Sequence, residues 1–319
     1  TDEDGYAEVI PLDRYVEDVK MSRSLTEENL PLIAIIPVEG TLMPGDSEEG
    51  MAGSDTINGY IDTALEAEDL AAIVLRVNSP GGSVFASDLI RRKLREVADA
   101  DISIVVSMGT IAASGGYWIA AEADEIWALP TTLTGSIGAF SAFPTIEGIV
   151  EYIGVTVDGV GTTPLAGAAS LNRGLSPEMA SIVQALAYGA YDDFIELVAS
   201  GRDMSEQAVR EVADGLVWTG AEAAERGLVD ELGGLDEAVA AAARLAGVEE
   251  WRTARTRVPP SFESVLLQEL SRSFGMVAAP LGGWFESLVS AFKPAIKSLS
   301  SLRDPMHVYA QCLPCAPLL

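Results

Sequence analysis

The first part of the chain alternates between short apolar runs and stretches with helical spacing. Residues 32–38, 71–77 and 102–106 have the length and apolar character of buried strands. Between them, residues 56–68 place apolar side chains on one helical face, and residues 83–98 predict a second helix. This order predicts an α/β fold with largely parallel strands, in which sites form where strands end.

The alternation continues downstream with shorter units. A small-residue turn is predicted over residues 109–113, followed by a short helix over 114–123 and a short strand over 125–128. Four further helices are predicted over residues 176–200, 205–213, 221–226 and 236–246.

Shifts in composition divide the sequence into three segments. Residues 1–30 are polar and acidic and predict an N-terminal arm or linker, whereas residues 31–250 form the main domain. Residues 251–319 contain two consecutive prolines, Pro259 and Pro260, followed by scattered aromatics, and predict a separate, helical C-terminal extension. Within it, residues 275–302 carry aromatics and two lysines in helical register, which suits a membrane surface, a neighbouring subunit or ordinary packing. Because residue 1 is threonine and no leader follows, we expect a piece of a longer or processed chain.

Charge and composition exclude several classes of protein. The 48 acidic and 20 basic residues give a net charge of −28, which disfavours nucleic acid as a partner. The sequence contains no run of 18 uncharged apolar residues, so no membrane span is predicted. Cys312 and Cys315 form one C-x-x-C with only His307 nearby, short of the four ligands of a zinc site, so a disulfide or two thiols is expected. We expect neither a metal nor a cofactor.

Two glycine-containing turns carry the candidate chemistry. Ser114 lies between a predicted strand and a helix, where its hydroxyl and the N–H of Gly115 could serve as nucleophile and oxyanion donor. Gly81 and Gly82 follow another strand and leave backbone N–H groups unobstructed by side chains. A serine at a strand-to-helix turn is also a common helix cap, so the residues alone leave both interpretations open.

Three ordered blocks add a family resemblance. Residues 74–83 (VLRVNSPGGS), 112–120 (AASGGYWIA) and 133–138 (LTGSIG) resemble the S49 serine peptidases, the signal peptide peptidase A family. The similarity continues through residues 214–220 and 227–230 and into the tail, and is greatest to the C-terminal half of the long, two-repeat form. The resemblance implies a ClpP/crotonase-like fold of stacked ββα units.

The resemblance also implies the roles of individual residues. Ser114 matches the nucleophile, and Gly82 and Gly115 match the positions whose backbone N–H groups form the oxyanion hole. Ser136 matches the serine that orients the catalytic lysine, although by itself it is an ordinary turn serine. Peptides, in particular remnants of cleaved signal peptides, are the implied substrates.

The lysine that such an enzyme needs is not evident in the sequence. S49 enzymes use a buried, neutral lysine as the base, but the corresponding stretch, residues 160–169, contains none. The four lysines, Lys20, Lys93, Lys293 and Lys297, are each expected to be surface charges. In the long form of the family the lysine comes from an N-terminal repeat, so the resemblance implies that this chain supplies only the serine half of a split site.

Partners, location and alternatives follow from the same resemblance. It implies a homo-oligomer, with a tetramer favoured, associated with the inner membrane of a bacterium and facing the periplasm. Two alternatives remain open. A crotonase-type acyl-CoA enzyme would need paired carboxylates near the glycine turns, for which the nearest acids are Asp88, Glu122, Asp124 and Glu125. A scaffold repeat with an inactive site would account for the missing lysine.

Overall fold

A computed structural model describes residues 30–163, 165–168, 170–255, 303–313 and 315. The strands among these residues are β1 (Leu32–Glu39), β2 (Thr41–Met43), β3 (Met51–Gly53), β4 (Leu70–Ser79), β5 (Gly81–Ser83), β6 (Ser103–Ala113), β7 (Glu125–Ala128), β8 (Leu133–Gly135), β9 (Phe140–Ser141), β10 (Val217–Thr219), β11 (Glu231–Leu232), β12 (Arg252–Arg255) and β13 (Val308–Gln311). The helices are α1 (Ser54–Leu65), α2 (Val84–Asp99), α3 (Gly115–Trp118), α4 (Glu147–Tyr152), α5 (Pro177–Gly201), α6 (Glu206–Val212), α7 (Gly220–Glu225) and α8 (Leu235–Leu245).

The larger sheet is mostly parallel, as predicted. Its strand order is β10-β8-β6-β4-β1-β12, with β7 paired to β6 and β11 paired to β7. Within it the pairing of β10 with β8 is antiparallel, and the remaining described pairs are parallel. Parallel strands need crossover connections, and helices supply these between the strands at the centre of the sheet.

A smaller sheet lies where the strands of the larger sheet end, in the order β3-β2-β5-β13-β9. Strand β1 leads into β2 and, after β3, into α1, and β4 leads into β5 and then α2. The chain therefore repeats a unit of two strands and a helix, which is the stacked ββα arrangement expected from the sequence. In each unit the chain passes from a strand of the larger sheet to a strand of the smaller one, from β1 to β2 and from β4 to β5. The glycine turn of Gly81 and Gly82 lies at the second of these crossings.

Helices cover both faces of the larger sheet. Along β1, Ala34 and Ile36 pack into a core cluster with α1 and α2, whereas Ile33 and Ile35 pack into a second cluster with α8. Successive side chains of β1 therefore point to opposite faces of the sheet, as the pleat of a strand requires. Burial on both faces explains why the run from residue 32 to residue 38 is continuously apolar.

Several predicted elements differ from the structure. The small-residue turn predicted over residues 109–113 is wrong, because β6 continues through these residues to Ala113. The helix predicted over 114–123 is shorter, and only Gly115–Trp118 is helical. The predicted arm (residues 1–29) and the helical stretch within residues 256–302 lie outside the described residues. The described ends of the C-terminal extension are strands, β12 beside β1 and β13 beside β5.

None of the helices in the described part of the chain is both long and apolar enough to cross a bilayer.

Candidate active site

Ser114 stands at the turn between β6 and α3, where its backbone adopts an unusual conformation. Its φ is 55° and its ψ is −117°, a combination that residues other than glycine rarely adopt. The Ser114 N–H donates to the carbonyl of Gly135 at 2.8 Å, and the Ser114 carbonyl accepts from Tyr117 and Trp118. These contacts hold the serine in a strained turn, a feature that clusters at functional sites.

The hydroxyl of Ser114 does not cap the helix that follows it. The N-cap serines Ser83, Ser176 and Ser205 each accept a hydrogen bond from a backbone N–H three residues later. Ser114 makes no such bond, and the hydrogen bonds between described residues include none from its hydroxyl. The interpretation of Ser114 as an ordinary cap is therefore wrong, and its hydroxyl is left for another role.

Ser136 lies beside Ser114 because the strands that carry them are neighbours. Ala113 at the end of β6 pairs with Gly135 at the end of β8, so the next residues, Ser114 and Ser136, leave the sheet at the same edge, and both line one cavity. Ser136 also has a positive φ, 51°, and its N–H donates to the carbonyl of Leu216 at 2.7 Å. The two serines predicted from the sequence are thus brought together at one edge of the sheet.

The first glycine turn packs directly against Gly115. A Cβ added to Gly81, whose φ is +92°, would lie 2.5 Å from the amide nitrogen of Gly115 and 2.1 Å from the carbonyl oxygen of Ala310. A Cβ on Gly82 would instead meet the carbonyl oxygen of Leu42 at 2.1 Å. The backbones in this turn are close enough that only glycine fits at either position. Gly82 lies within β5, between β2 and β13. Gly81, to which the family resemblance assigned no role, approaches Gly115 more closely.

A cavity of about 520 Å³ opens beside the two serines. Much of its wall comes from the outer face of α5 and from the C-terminal tail. The lining residues are Ser114, Ser136, Gly138, Ala139, Phe140, Gln184, Ala187, Tyr188, Tyr191, Asp214, Gly215, Gln311 and Leu313.

The tail and α5 are contributions that the sequence analysis missed. Gln311 and Leu313 lie almost 200 residues after Ser114 in the chain, so no local pattern places them at the cavity. Asp214 and Gly215 belong to one of the family blocks, which was the available signal for them. Tyr117 and Trp118 are core residues: both are buried, and the Tyr117 hydroxyl donates to the carbonyl of Leu228.

Two titratable groups in the cavity wall, Tyr191 and Asp214, are hydrogen-bonded to each other. The Tyr191 hydroxyl donates to Asp214 at 2.8 Å, and burial together with this hydrogen bond raises the pKa of Tyr191 above its ordinary value. Neither group is a lysine or a histidine. His307 packs its ring edge against Phe143 at 5.0 Å between centroids and does not line the cavity.

Lys93 is the lysine that falls within the described residues, and it is not a base. Its Nζ lies 2.7 Å from both Asp62 and Glu96, and these hydrogen bonds raise the pKa of Lys93 above its ordinary value. A catalytic lysine must be neutral to accept a proton, which requires a lowered pKa. The expectation that Lys93 is a surface charge is confirmed, while Lys20, Lys293 and Lys297 lie outside the described residues.

The acidic residues required by an acyl-CoA enzyme are engaged elsewhere. Asp88 and Glu122 both bind Arg91, and Glu125 binds Arg244 at 2.5 Å. Asp124 accepts from the backbone N–H of a residue in β6. None of these four lines the cavity with Ser114, where Asp214 is the one carboxylate among the described residues.

Cys312 and Cys315 are joined in a disulfide, which resolves the two alternatives left by the sequence. Both cysteines pack against Ile111 and Ala113 near the end of β6. The described residues contain no cluster of His, Cys, Asp or Glu suited to hold a metal ion.

Comparisons with known proteins agree with the motif blocks. Residues 96–249 match "Peptidase family S49". The chain is similar to "Protease 4" of Salmonella typhi, with 42% identity over 294 residues, covering 89% of this chain and 47% of that protein. It is also similar to "Putative protease slr0021" of Synechocystis sp., with 37% identity, covering 68% of this chain and 75% of that protein. The solved structure of a ClpP1 mutant from Listeria monocytogenes matches with a TM-score of 0.41 and 15% identity over 64% of this chain and 94% of that one.

The chain spans about half the length of the two Protease 4 sequences that it matches, from Salmonella typhi and Haemophilus influenzae. The protein of Synechocystis sp. is matched over three quarters of its length at an identity well above chance similarity. The chain belongs to the S49 family of serine peptidases.

Proposed function

We propose that this chain is the nucleophile-bearing domain of a serine endopeptidase, with Ser114 as the attacking residue. One observation carries the proposal. Ser114 occupies a strained strand-to-helix turn, its hydroxyl makes no hydrogen bond among the described residues, and it borders a cavity of about 520 Å³. A serine held in that way is suited to attack a bound carbonyl group rather than to stabilise a helix.

The proposed reaction is acyl transfer followed by hydrolysis. The Oγ of Ser114 attacks the scissile carbonyl carbon while a base takes the hydroxyl proton. The carbonyl oxygen becomes an oxyanion, for which the backbone N–H groups of Gly82 and Gly115 are the proposed donors. The protonated base then gives its proton to the leaving amine, and water hydrolyses the acyl-enzyme with the same base.

We assign the base to a lysine supplied by an N-terminal repeat, as the family resemblance implies. Two observations support this assignment. Lys93 is held in a charged state by Asp62 and Glu96, and the described lining of the cavity contains no lysine. The matched Protease 4 sequences are about twice as long as this chain, which leaves room for a second repeat. We assign to Ser136, which lines the same cavity as Ser114, the role of accepting a hydrogen bond from that lysine and so orienting it.

The cavity wall supports apolar peptides, including remnants of signal peptides, as substrates. Ala139, Phe140, Ala187 and Leu313 give it an apolar surface, and Tyr188 adds an aromatic ring at its rim. An extended peptide carrying apolar side chains would bury them against this wall, which is favourable at about 25 cal/mol per Å².

Exposed apolar side chains on α4 and α5 support assembly with further repeats or subunits. Ile149, Tyr152 and Ile153 on and after α4 are 63%, 91% and 64% exposed, and Tyr188 on α5 is 62% exposed. Large exposed apolar patches mark interaction sites. Because Tyr188 also lines the cavity, a neighbour packed against it would lie beside the site where the missing base is required. We propose a homo-oligomer, with a tetramer favoured.

The proposed location is the periplasmic side of the inner membrane of a bacterium. The disulfide between Cys312 and Cys315 supports it, because such bonds persist in oxidising compartments.

Two serine variants separate a catalytic role from a structural one. Ser114→Ala removes no helix cap, so it should leave the free energy of unfolding nearly unchanged while abolishing peptide cleavage. Ser205→Ala is the matched control, since it removes the cap on α6 and should cost about 1 kcal/mol of stability without affecting cleavage. Cleavage of a fluorogenic peptide and urea denaturation should be measured for both variants of the full-length protein. Retained cleavage in Ser114→Ala would exclude the proposed mechanism.

A further inference from the structure

The end of the chain returns to the glycine turn. We use the name C-terminal strap for residues 303–313 and 315. Its strand β13 lies between β5, which contains Gly81 and Gly82, and β9. In this pairing Ala310 lies opposite Gly82. The strap therefore forms one side of the turn that faces Ser114.

A buried carboxylate anchors the start of the strap. Asp304 is only 2% exposed, and its Oδ2 accepts hydrogen bonds from the Ser83 hydroxyl at 2.5 Å and from the Phe85 N–H at 3.1 Å. Its Oδ1 accepts from the N–H groups of Met306 at 2.8 Å and Val308 at 3.2 Å. One oxygen thus binds the body of the protein, and the other binds the strap itself.

Ser83 connects Asp304 to the glycine turn. It directly follows Gly82, and its hydroxyl also accepts a hydrogen bond from the Ala86 N–H at 3.0 Å, which caps α2. At the other end of the strap, the Cys312 N–H donates to the carbonyl of Pro80 at 2.7 Å. The turn formed by Gly81 and Gly82 is therefore held from both sides by the strap.

We propose that Asp304 is a positioning residue for catalysis: by binding Ser83 it fixes the backbone of the glycine turn relative to Ser114. This inference rests on the proposed function, because it requires the turn to bind an oxyanion. Glycine turns are conformationally free, and an oxyanion hole must hold its N–H donors in place before the reaction. The carboxylate does not contact the substrate in this proposal and acts on the turn through Ser83, which directly follows Gly82.

Asp304→Asn tests the inference, because an amide nitrogen cannot accept a hydrogen bond. Either orientation of the asparagine side chain leaves two of the four donors without an acceptor. In the full-length protein, kcat should fall about 10–100-fold, while KM changes less than about 2-fold, since a misplaced donor weakens transition-state binding. Asp304→Glu, which keeps both acceptor oxygens, should recover part of the lost kcat.

Asp124→Asn is the matched control. Asp124 also accepts from a backbone N–H, that of Ile104 at 2.7 Å, and it does not line the cavity. It should lose stability without losing kcat. If both asparagine variants change kcat equally, or if Asp304→Asn keeps kcat within about 2-fold of wild type, the inference is overturned.

Hydrogen exchange separates this inference from the proposed function. In Asp304→Asn, the amides of residues 81–83, which form the glycine turn, should exchange at least about 10-fold faster than in Asp124→Asn. Unchanged exchange would overturn the inference even if the enzyme is active. Absence of any Ser114-dependent cleavage in the wild type would refute the proposed function, and the exchange result would still decide whether Asp304 holds the turn. Should Asp304→Asn fail to fold, Ser83→Ala removes the same link together with the cap on α2. Its kcat should fall as predicted for Asp304→Asn, whereas Ser205→Ala, which removes only a cap, should keep kcat.

Discussion

Gly81→Ala should be one of the most damaging small substitutions in the chain. The added Cβ would lie 2.1 Å from the carbonyl oxygen of Ala310 and 2.5 Å from the amide nitrogen of Gly115. Both contacts are with backbone atoms, so no side chain can rotate away to relieve them. The position also has a φ of +92°, which is unfavourable for alanine.

The expected loss of stability in Gly81→Ala has two causes, backbone strain and the steric clash. Alanine at positive φ costs about 1–2 kcal/mol, and the reduced freedom of the unfolded chain returns about 0.4–1 kcal/mol. Forcing extra volume into a packed site costs about 1–3 kcal/mol more. The free energy of unfolding should therefore fall by about 1–5 kcal/mol in Gly81→Ala.

Gly45→Ala isolates the strain from the clash. Gly45 has a similar φ, +87°, but a Cβ added there meets nothing within 4 Å. Its substitution should cost about 1 kcal/mol or less. With an m-value of roughly 2–3 kcal/mol/M in urea, a difference of about 2 kcal/mol between the variants separates their midpoints by about 1 M. Equal midpoints would refute the close packing of the glycine turn against Gly115 and the strap.

Three further predictions concern the surroundings of the site. Burial raises the pKa of Tyr309 to about 12, so the neutral phenol stabilises the fold below pH 10, and this contribution is lost as the pH rises from about 10 to 12. Tyr309→Phe should reduce the loss of stability over that range by roughly 1–3 kcal/mol, measured by denaturation at each pH. Replacing Cys312 and Cys315 together by serine opens a short loop and should cost about 2 kcal/mol, and an unchanged urea midpoint would contradict this. Lys93→Ala should leave kcat unchanged in the full-length protein, whereas loss of activity would reassign the base.

The larger sheet could be predicted because its signals are local. The run over residues 32–38 is apolar without interruption, since the side chains of β1 other than Pro37 and Glu39 are buried on one face or the other. The small residues of 109–113 misled the prediction, because Gly109 and the alanines resemble a turn although β6 passes through them. Small side chains fit there because β6 is packed between β4 and β8.

The smaller sheet could not be predicted in the same way. Strands β5 and β13 are three and four residues long, and the residues that pair are more than 220 positions apart. Such strands exist through the partner they pair with rather than through their own pattern. Ser114 and Ser136 were identified through a family resemblance, and the structure adds the reason for their proximity, the register of β6 with β8. The family resemblance extends into the tail, but nothing in the sequence placed the tail at the cavity.

Labelling of Ser114 by a fluorophosphonate-type serine probe tests the central claim most directly. It should be measured on this chain alone and on the chain joined to a lysine-bearing N-terminal repeat, each as wild type and as Ser114→Ala. We predict labelling in the joined protein, abolished by Ser114→Ala, and little or none in the chain alone. Strong labelling of the chain alone would contradict a split site, and variants of Lys20, Lys293 and Lys297 would then locate the base. No Ser114-dependent labelling in either form would contradict the assignment of Ser114 as the nucleophile.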